Sequence, residues 1–507
     1  MNNKSLAITM IANAFAFIIN SCIGLLLTPF IVRNVGAESY GFVSLANNFT
    51  GYIQILTVAL NSMAGRFITI AYVQKKYDEA NRYFTSTLYA NSFIAIVLLL
   101  ISSVFVIRLD KFINISNNIL TDTKILFALV FSAFILSLFG VVFSIATFSK
   151  NRKDIEAKRS IESYFVKAIV IILLFSIFKP HIYFVGVASV AITIYKIVFD
   201  VYYTKKLTPE MKIRKKYFDF GKIITLVKSG IWNSISRLGG VLSDGLDLLV
   251  ANLFLGPQVM GLLSVAKTLP NIISPFVGTI GSIFVPSYTI AYAKNQREQL
   301  FFEMERSIKI LSIVSNVCLA TLAVVGSQFF SLWVPNLDSA KIQILSLITI
   351  MGLTVNGAIQ CVWNVFTITN KIKLNSIVAT SISFLNILIV FILLKTTNLG
   401  VYAIAGVSSV TNILKSLFFS IPYAAKCINI KKRFFYIPVI KAVFSLTLST
   451  IICYFICSLK PINSWVSLIL FAIPVVIVTG LITICIVLKP SDIKNIITKF
   501  KKGVCKK

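Results

Sequence analysis

Five charged side chains stand inside stretches that are otherwise apolar: Lys228, Arg237, Asp244, Asp247 and Lys267. Arginine carries a planar fork of donors that grips the oxygens of a phosphate in pairs. Recognition of an anionic headgroup by Arg237, helped by Lys228 and Lys267, is therefore the chemistry to expect. Asp244 or Asp247 would compete for the cation or exchange a proton. At 1.5 Å per residue Arg237 lies about 20 Å beyond Ile224, in the middle of its apolar stretch. Asp244 follows two turns later on roughly the same face. Asp247 precedes Gly256 by nine residues and Lys267 follows Pro257 by ten, so the two are expected at similar depth across a hairpin and in close approach. Lys415 is a further substrate-binding candidate; it lies within about two turns of an expected cytoplasmic end, where snorkelling is the competing account, but deeper than Lys441. Lys167, Lys196, Asp200 and Lys441 lie near the expected cytoplasmic ends of their segments and are read as snorkelling to water. A fixed structural ion-pair cluster is the competing account of the five charges.

The elements that must position these groups are apolar. Of 507 residues 57% are hydrophobic and 13% charged, with mean hydropathy +0.86. A soluble globule carries about 25% charge. Apolar runs of about 20 residues, each long enough to cross a bilayer as a helix, recur from Leu6–Val32 to Trp465–Leu488. We read fourteen: an all-α polytopic membrane protein with about 14 transmembrane helices and no soluble domain able to hold an enzyme. The net charge of +31 comes from 49 Lys+Arg against 18 Asp+Glu. Nucleic acid is not the expected partner, because no basic stretch sits in a foldable soluble module. With fourteen segments every alternate loop is richer in Lys and Arg, as the positive-inside rule requires when both ends are cytoplasmic. Eight scattered cysteines form no CxxC pair, and His181 is the single histidine. They give no metal site and no histidine relay.

The chain repeats itself. VGAESYGFVSLA from Val35 and LGPQVMGLLSVA from Leu255 share Gly36/Gly256, Gly41/Gly261, Ser44/Ser264 and Ala46/Ala266 at a constant offset of 220 residues. Thr69-Ile70-Ala71-Tyr72 matches Thr289-Ile290-Ala291-Tyr292 in the same register. Each copy has a glycine at the end of one span and another five residues on, for a tight reversal and close helix approach. Six spans separate the copies, so the repeats are parallel. They predict two six-helix lobes, 1–203 and 222–424, joined by a basic cytoplasmic linker, 204–221. An additional helix pair, 425–490, and a basic tail, 491–507, follow; the tail is expected on anionic membrane lipid. In the first lobe Phe17, Gly24, Leu27 and Asn47 replace Arg237, Asp244, Asp247 and Lys267. Uncharged Asn13, Asn20, Asn47, Asn48 and Asn61 are expected to line a polar cavity there.

The stretch TPFIVRNVGAESYGFVSLA from Thr28, together with SLWVPN from Ser331 to Asn336, resembles Wzx-type polysaccharide flippases. These belong to the multidrug/oligosaccharidyl-lipid/polysaccharide exporter superfamily. The resemblance implies a flippase, not an enzyme. It would move undecaprenyl-pyrophosphate-linked oligosaccharide across the bacterial plasma membrane by alternating access, for O-antigen, capsule or related polysaccharide. It implies no cofactor beyond a coupling cation, H+ or Na+. Polysaccharide polymerase and chain-length machinery are the protein partners it suggests. One rival is a cation-coupled multidrug exporter of the same superfamily, which typically has twelve spans and often an aspartate in the first lobe. The other is a membrane-embedded glycan polymerase or glycosyltransferase, which would need a long outer loop or a carboxylate cluster on the inner face.

Overall fold

The computed structural model describes residues 3–150, 152–369, 371–457 and 463–488, with side chains from residue 15 onward except Lys153 and Asp244. The side chains of Asn13 and Asp244 and the tail 491–507 thus lie outside the described residues. No strand occurs among the described residues. In hydrocarbon only a helix satisfies the backbone polar groups of an isolated segment from within.

Among the described residues twelve helices are long and apolar enough to cross a membrane. The first, Asn3–Val73, is two spans, because Gly36 (φ 85°, ψ 162°) interrupts it. One further span, the tenth, is present in pieces: Ser339–Ile350, Leu353–Asn356 and Gln360–Ile368. The described residues therefore hold the fourteen expected spans. Spans 3 to 6 are Tyr77–Ile107, Leu120–Phe143, Lys153–Ile177 and Tyr183–Leu207. Span 9 is Arg297–Trp333 and span 11 is Ile372–Thr396; spans 13 and 14 are Arg433–Cys457 and Trp465–Val487.

Several spans are less regular than their hydropathy. Span 7 runs as Phe220–Gly240, widens into a π-turn at Val241–Gly245, and continues as Asp247–Leu255. Span 8 (Pro257–Ala266, Pro270–Ser282, Val285–Ala293) breaks at Lys267–Leu269. The break lies just ahead of Pro270, which has no amide N–H to give and is tolerated at a helix start. Span 12 (Val401–Lys415, Ile421–Cys427) also holds a π-turn, Ser416–Ser420.

The chain forms two compact units: Met1–Val265 with Ser376–Ile404, and Ala266–Asn375 with Ala405–Lys507. The first has a core around Leu60, Phe84, Val142 and Leu226. The second is built on Tyr288, Met304, Ile359 and Phe435. Within the first unit the two repeated hairpins meet through their own counterparts. A Cβ on Gly41 would lie 2.8 Å from Gly261 Cα. Ser264 Oγ donates to Ser44 Oγ at 2.6 Å, and Gln258 Nε2 to Glu38 Oε2 at 3.4 Å. Gly256 (φ 91°, ψ 168°) nearly reproduces the dihedrals of Gly36. Positions 220 residues apart facing each other is the self-complementary contact that a local two-fold axis produces.

The segment after span 6 is pinned to the start of span 3 rather than hanging as a tether. Asn81 Nδ2 donates to Glu210 O, and Asn81 Oδ1 accepts from Lys212 N. Tyr72 donates to Glu210 Oε2 at 2.7 Å, Tyr217 to Asp78 at 2.9 Å, and Lys222 to Glu79 at 2.9 Å.

Candidate functional site

The site is built on span 7. Gly230 and Ser234 seat this helix on span 2: a Cβ on Gly230 would lie 2.0 Å from Ala59 O, so no larger residue fits. Ser234 Oγ donates to Ile55 O at 2.7 Å and accepts from Ala59 N at 3.1 Å. On its other side span 7 touches span 11 through Ser236 with Ser376, at 3.0 Å, and through Gly239 beside Thr380. A third face is apolar and exposed (Ile224, Val227, Ile231 and Leu238), which suits lipid.

The remaining face carries a polar ridge. Thr225, Ser229, Asn233 and Arg237 follow one another at four-residue steps, and all four are exposed. Residues four apart stack along one side of a helix. Exposed polar groups at membrane depth need water or a polar partner, so this ridge marks a hydrated surface with Arg237 at its far end. Gly51 on span 2 makes room for the guanidinium: a Cβ there would stand 3.3 Å from Arg237 Nη2.

Beyond Arg237 the π-turn frees backbone carbonyls, and three side chains claim them. Asn48 Nδ2 (3.2 Å) and the Tyr52 hydroxyl (2.5 Å) donate to Gly245 O, while Asn386 Nδ2 donates to Ser243 O at 3.1 Å. Asn386 Oδ1 is buried without a hydrogen-bond partner among the described residues. Asp247 opens the next helix, one residue past the turn, and is 8% exposed.

The sequence-based expectations meet this geometry unevenly. Lys228 is exposed, but it precedes Arg237 by nine residues, half a revolution out of phase at 3.6 residues per turn. It points to the opposite side of the helix, so the expectation that it helps Arg237 is corrected. The π-turn also removes the simple α-helical phase between Arg237 and Asp244, whose side chain is outside the described residues. Lys267 belongs to the second unit, lies in the break of span 8 and is 7% exposed. Lys415, also in the second unit, donates to Asn412 Oδ1 at 2.8 Å and lies 5.3 Å from the centroid of the Trp363 ring.

Among the asparagines, Asn20 and Asn47 are exposed. Asn48 instead pins the π-turn. Asn61 Oδ1 accepts from Asn91 Nδ2 at 2.9 Å, and Asn91 also donates to Leu138 O, so Asn61 ties spans together. Gly51, Tyr52 and Asn386 were missed by sequence reasoning. The one available signal was the cluster Gly239, Gly240 and Gly245, since glycines accompany helix irregularities.

Comparison with known proteins follows the same lines. A family model described as polysaccharide biosynthesis protein matches residues 8–291. A relative from Bacillus subtilis (strain 168), the uncharacterized membrane protein EpsK, is 27% identical over 492 residues, covering 97% of each chain. The lipid II flippase MurJ in an inward closed conformation superposes with TM-score 0.66 at 14% identity, over 94% of this chain and 98% of that one. An inward-facing multidrug resistance MATE family transporter of the MOP superfamily gives 0.60 at 14% identity, over 84% and 97%. At these identities the two structures establish a shared fold.

Proposed function

The chain belongs to the polysaccharide biosynthesis protein family, and from that premise we propose that it is a flippase for lipid-linked oligosaccharide. The substrate on this reading is an undecaprenyl-pyrophosphate-linked repeat unit, carried from the cytoplasmic to the outer leaflet of the bacterial plasma membrane by alternating access. The product feeds O-antigen, capsule or a related polysaccharide, where polymerase and chain-length machinery take over. Both termini face the cytoplasm. The flippase makes and breaks no covalent bond.

The observation that carries the reading is an exposed Arg237 at the head of a polar ridge, set in the middle of a membrane span beside a glycine that clears space for it. A guanidinium there pays about 2.5–3.5 kcal/mol or more at mid-bilayer unless water or a counter-charge meets it. A pyrophosphate supplies that counter-charge during transport. Sugar hydroxyls then run along Asn233, Ser229 and Thr225. Asp247 competes with the headgroup for Arg237 or for a coupling H+ or Na+. Export of an anion from a negative-inside cell releases about 2.3 kcal/mol per charge per 100 mV, so potential contributes to the drive.

The test is Arg237→Ala, with Arg237→Lys beside it, in protein shown to be inserted at wild-type level. Lipid-linked glycan should accumulate in the inner leaflet with alanine and flip in part with lysine, which keeps the charge and loses the fork. Normal flipping by the alanine variant would refute the headgroup role.

A further inference from the structure

Spans 4, 5 and 6 enclose a second polar space, apart from the ridge on span 7. It measures about 260 Å³ and lies where Ser137 and Ser144 close span 4, Glu156 to Ser160 open span 5, and Thr193 to Asp200 approach the end of span 6. Sequence reasoning had assigned two of its charges, Lys196 and Asp200, to snorkelling. The structure instead gathers Arg159, Lys196, Glu156 and Asp200 around one hollow.

Arg159 is held from one side. Its Nη1 meets Glu162 Oε2 at 2.6 Å, Tyr195 donates to the same carboxylate, and the guanidinium lies 4.4 Å from the centroid of the Phe199 ring. Its Nε is buried and has no partner among the described residues. Buried donors are almost always satisfied, so this edge of the guanidinium is a donor suited to an acceptor on a ligand. The hydroxyls opposite have the complementary character. Ser137, Ser144 and Thr193 each donate back to a carbonyl of their own helix, which leaves their oxygens as acceptors toward the hollow.

Donors (Arg159, Lys196, the Ser160 hydroxyl) and acceptors (three hydroxyl oxygens, Glu156, Asp200) therefore alternate around the space. A phosphate would meet two carboxylates, and a bare cation would meet two cationic side chains. A neutral polyhydroxylated ring satisfies both kinds of group. We propose that this hollow is a sugar subsite in the first unit that holds one uncharged pyranose unit. As a place for part of the glycan it rests on the flippase reading.

The experiment is alkylation of the thiol introduced by Thr193→Cys in the purified full-length protein, followed by mass spectrometry, with native Cys22 as internal reference. The probes are the methyl glycosides of a hexose and of an N-acetylhexosamine, with sodium pyrophosphate and sodium chloride at equal concentration. At about ten times its dissociation constant a methyl glycoside should slow alkylation about tenfold at Thr193→Cys and leave Cys22 unchanged. Arg159→Lys, which removes Nε and keeps the charge, should weaken that protection about tenfold. Ser160→Ala, a milder change, should weaken it without disturbing the Glu162 pair. Protection by pyrophosphate or salt instead, or by none of the probes, overturns the proposal. Free glycoside protection does not depend on transport, so loss of the flippase reading through Arg237→Ala and loss of this one are separate results.

Discussion

Adding a methyl group at Gly41 should bias the chain toward conformations in which the two repeated hairpins part. The new Cβ would sit 2.8 Å from Gly261 Cα, 2.9 Å from Met260 Cε and 3.0 Å from Gly261 N. Carbon atoms rest at about 3.5–4.0 Å, so the seam must yield by roughly 1 Å, and overpacking of this kind costs about 1–3 kcal/mol. The mirror change, Gly261→Ala, meets backbone only: Ala37 O at 2.5 Å, Ala37 C at 2.7 Å and Glu38 Cα at 2.8 Å. It belongs at the upper end of that range. Alanine also gains about 1 kcal/mol of helix propensity over glycine, but that gain is present whether the seam is closed or parted and cancels between them. A closed seam weakened by about 1–3 kcal/mol shifts the closed-to-parted ratio about five- to 150-fold. The assay is labelling of a thiol introduced by Ser44→Cys with a membrane-impermeant maleimide added from outside. The Ser44 hydroxyl is held by Ser264 in the closed seam. Labelling should accelerate with Gly41→Ala and more with Gly261→Ala. Gly65→Ala, where a Cβ meets nothing within 4 Å, should leave it unchanged. Unaltered labelling in both seam variants, in protein that is inserted and folded, would refute the reasoning.

Other perturbations follow from the same geometry. Gly230→Ala drives a methyl group into Ala59 O, a backbone atom, and should lower the Tm of purified protein in a thermal thiol-exposure assay, with a loss of at least about 1–3 kcal/mol; an unchanged Tm would mean that span 7 is not seated on span 2. Asn48→Ala combined with Tyr52→Phe leaves Gly245 O without its two donors and should raise hydrogen exchange at the π-turn while the rest of span 7 stays protected. The hydrogen bond from Tyr72 holds the Glu210 carboxyl below the usual carboxylate range. A depressed folded value means that this clamp is at full strength above the ordinary carboxylate pKa and weakens as pH falls through the lowered one. Proteolytic nicking between residues 208 and 219 should therefore rise on acidification, and Tyr72→Phe should move that rise to higher pH.

How far the sequence reaches can be seen residue by residue. Hydropathy alone was enough to count fourteen spans, because a bilayer demands a fixed length of apolar helix wherever the chain crosses. The repeat was legible as well: the glycines matched at an offset of 220 are those whose dihedrals and close approach the structure displays. Arg237 drew notice because a charge in an apolar run has few reasons to exist, and the structure leaves it exposed on the polar face of span 7. Its neighbours were not. Lys228 looked like a helper on the ground of nearness in sequence, yet helical phase turns it away. Asn48 and Asn61 looked like cavity lining, and each proved to be tied to another span. The hollow around Arg159 was invisible, since its walls come from three spans and each charge alone resembles an ordinary membrane-edge residue.

What the amino-acid order settled by itself was the helical class, the number of crossings and the repeat at an offset of 220 residues. These depend on composition and spacing along a single chain. Tertiary structure decided which side of a helix each polar group faces, where a span opens into a π-turn, and which arginine edge is left unmet. Those outcomes depend on contacts between segments far apart in sequence, such as Ala59 with Gly230 or Glu162 with Tyr195, and no local pattern encodes them.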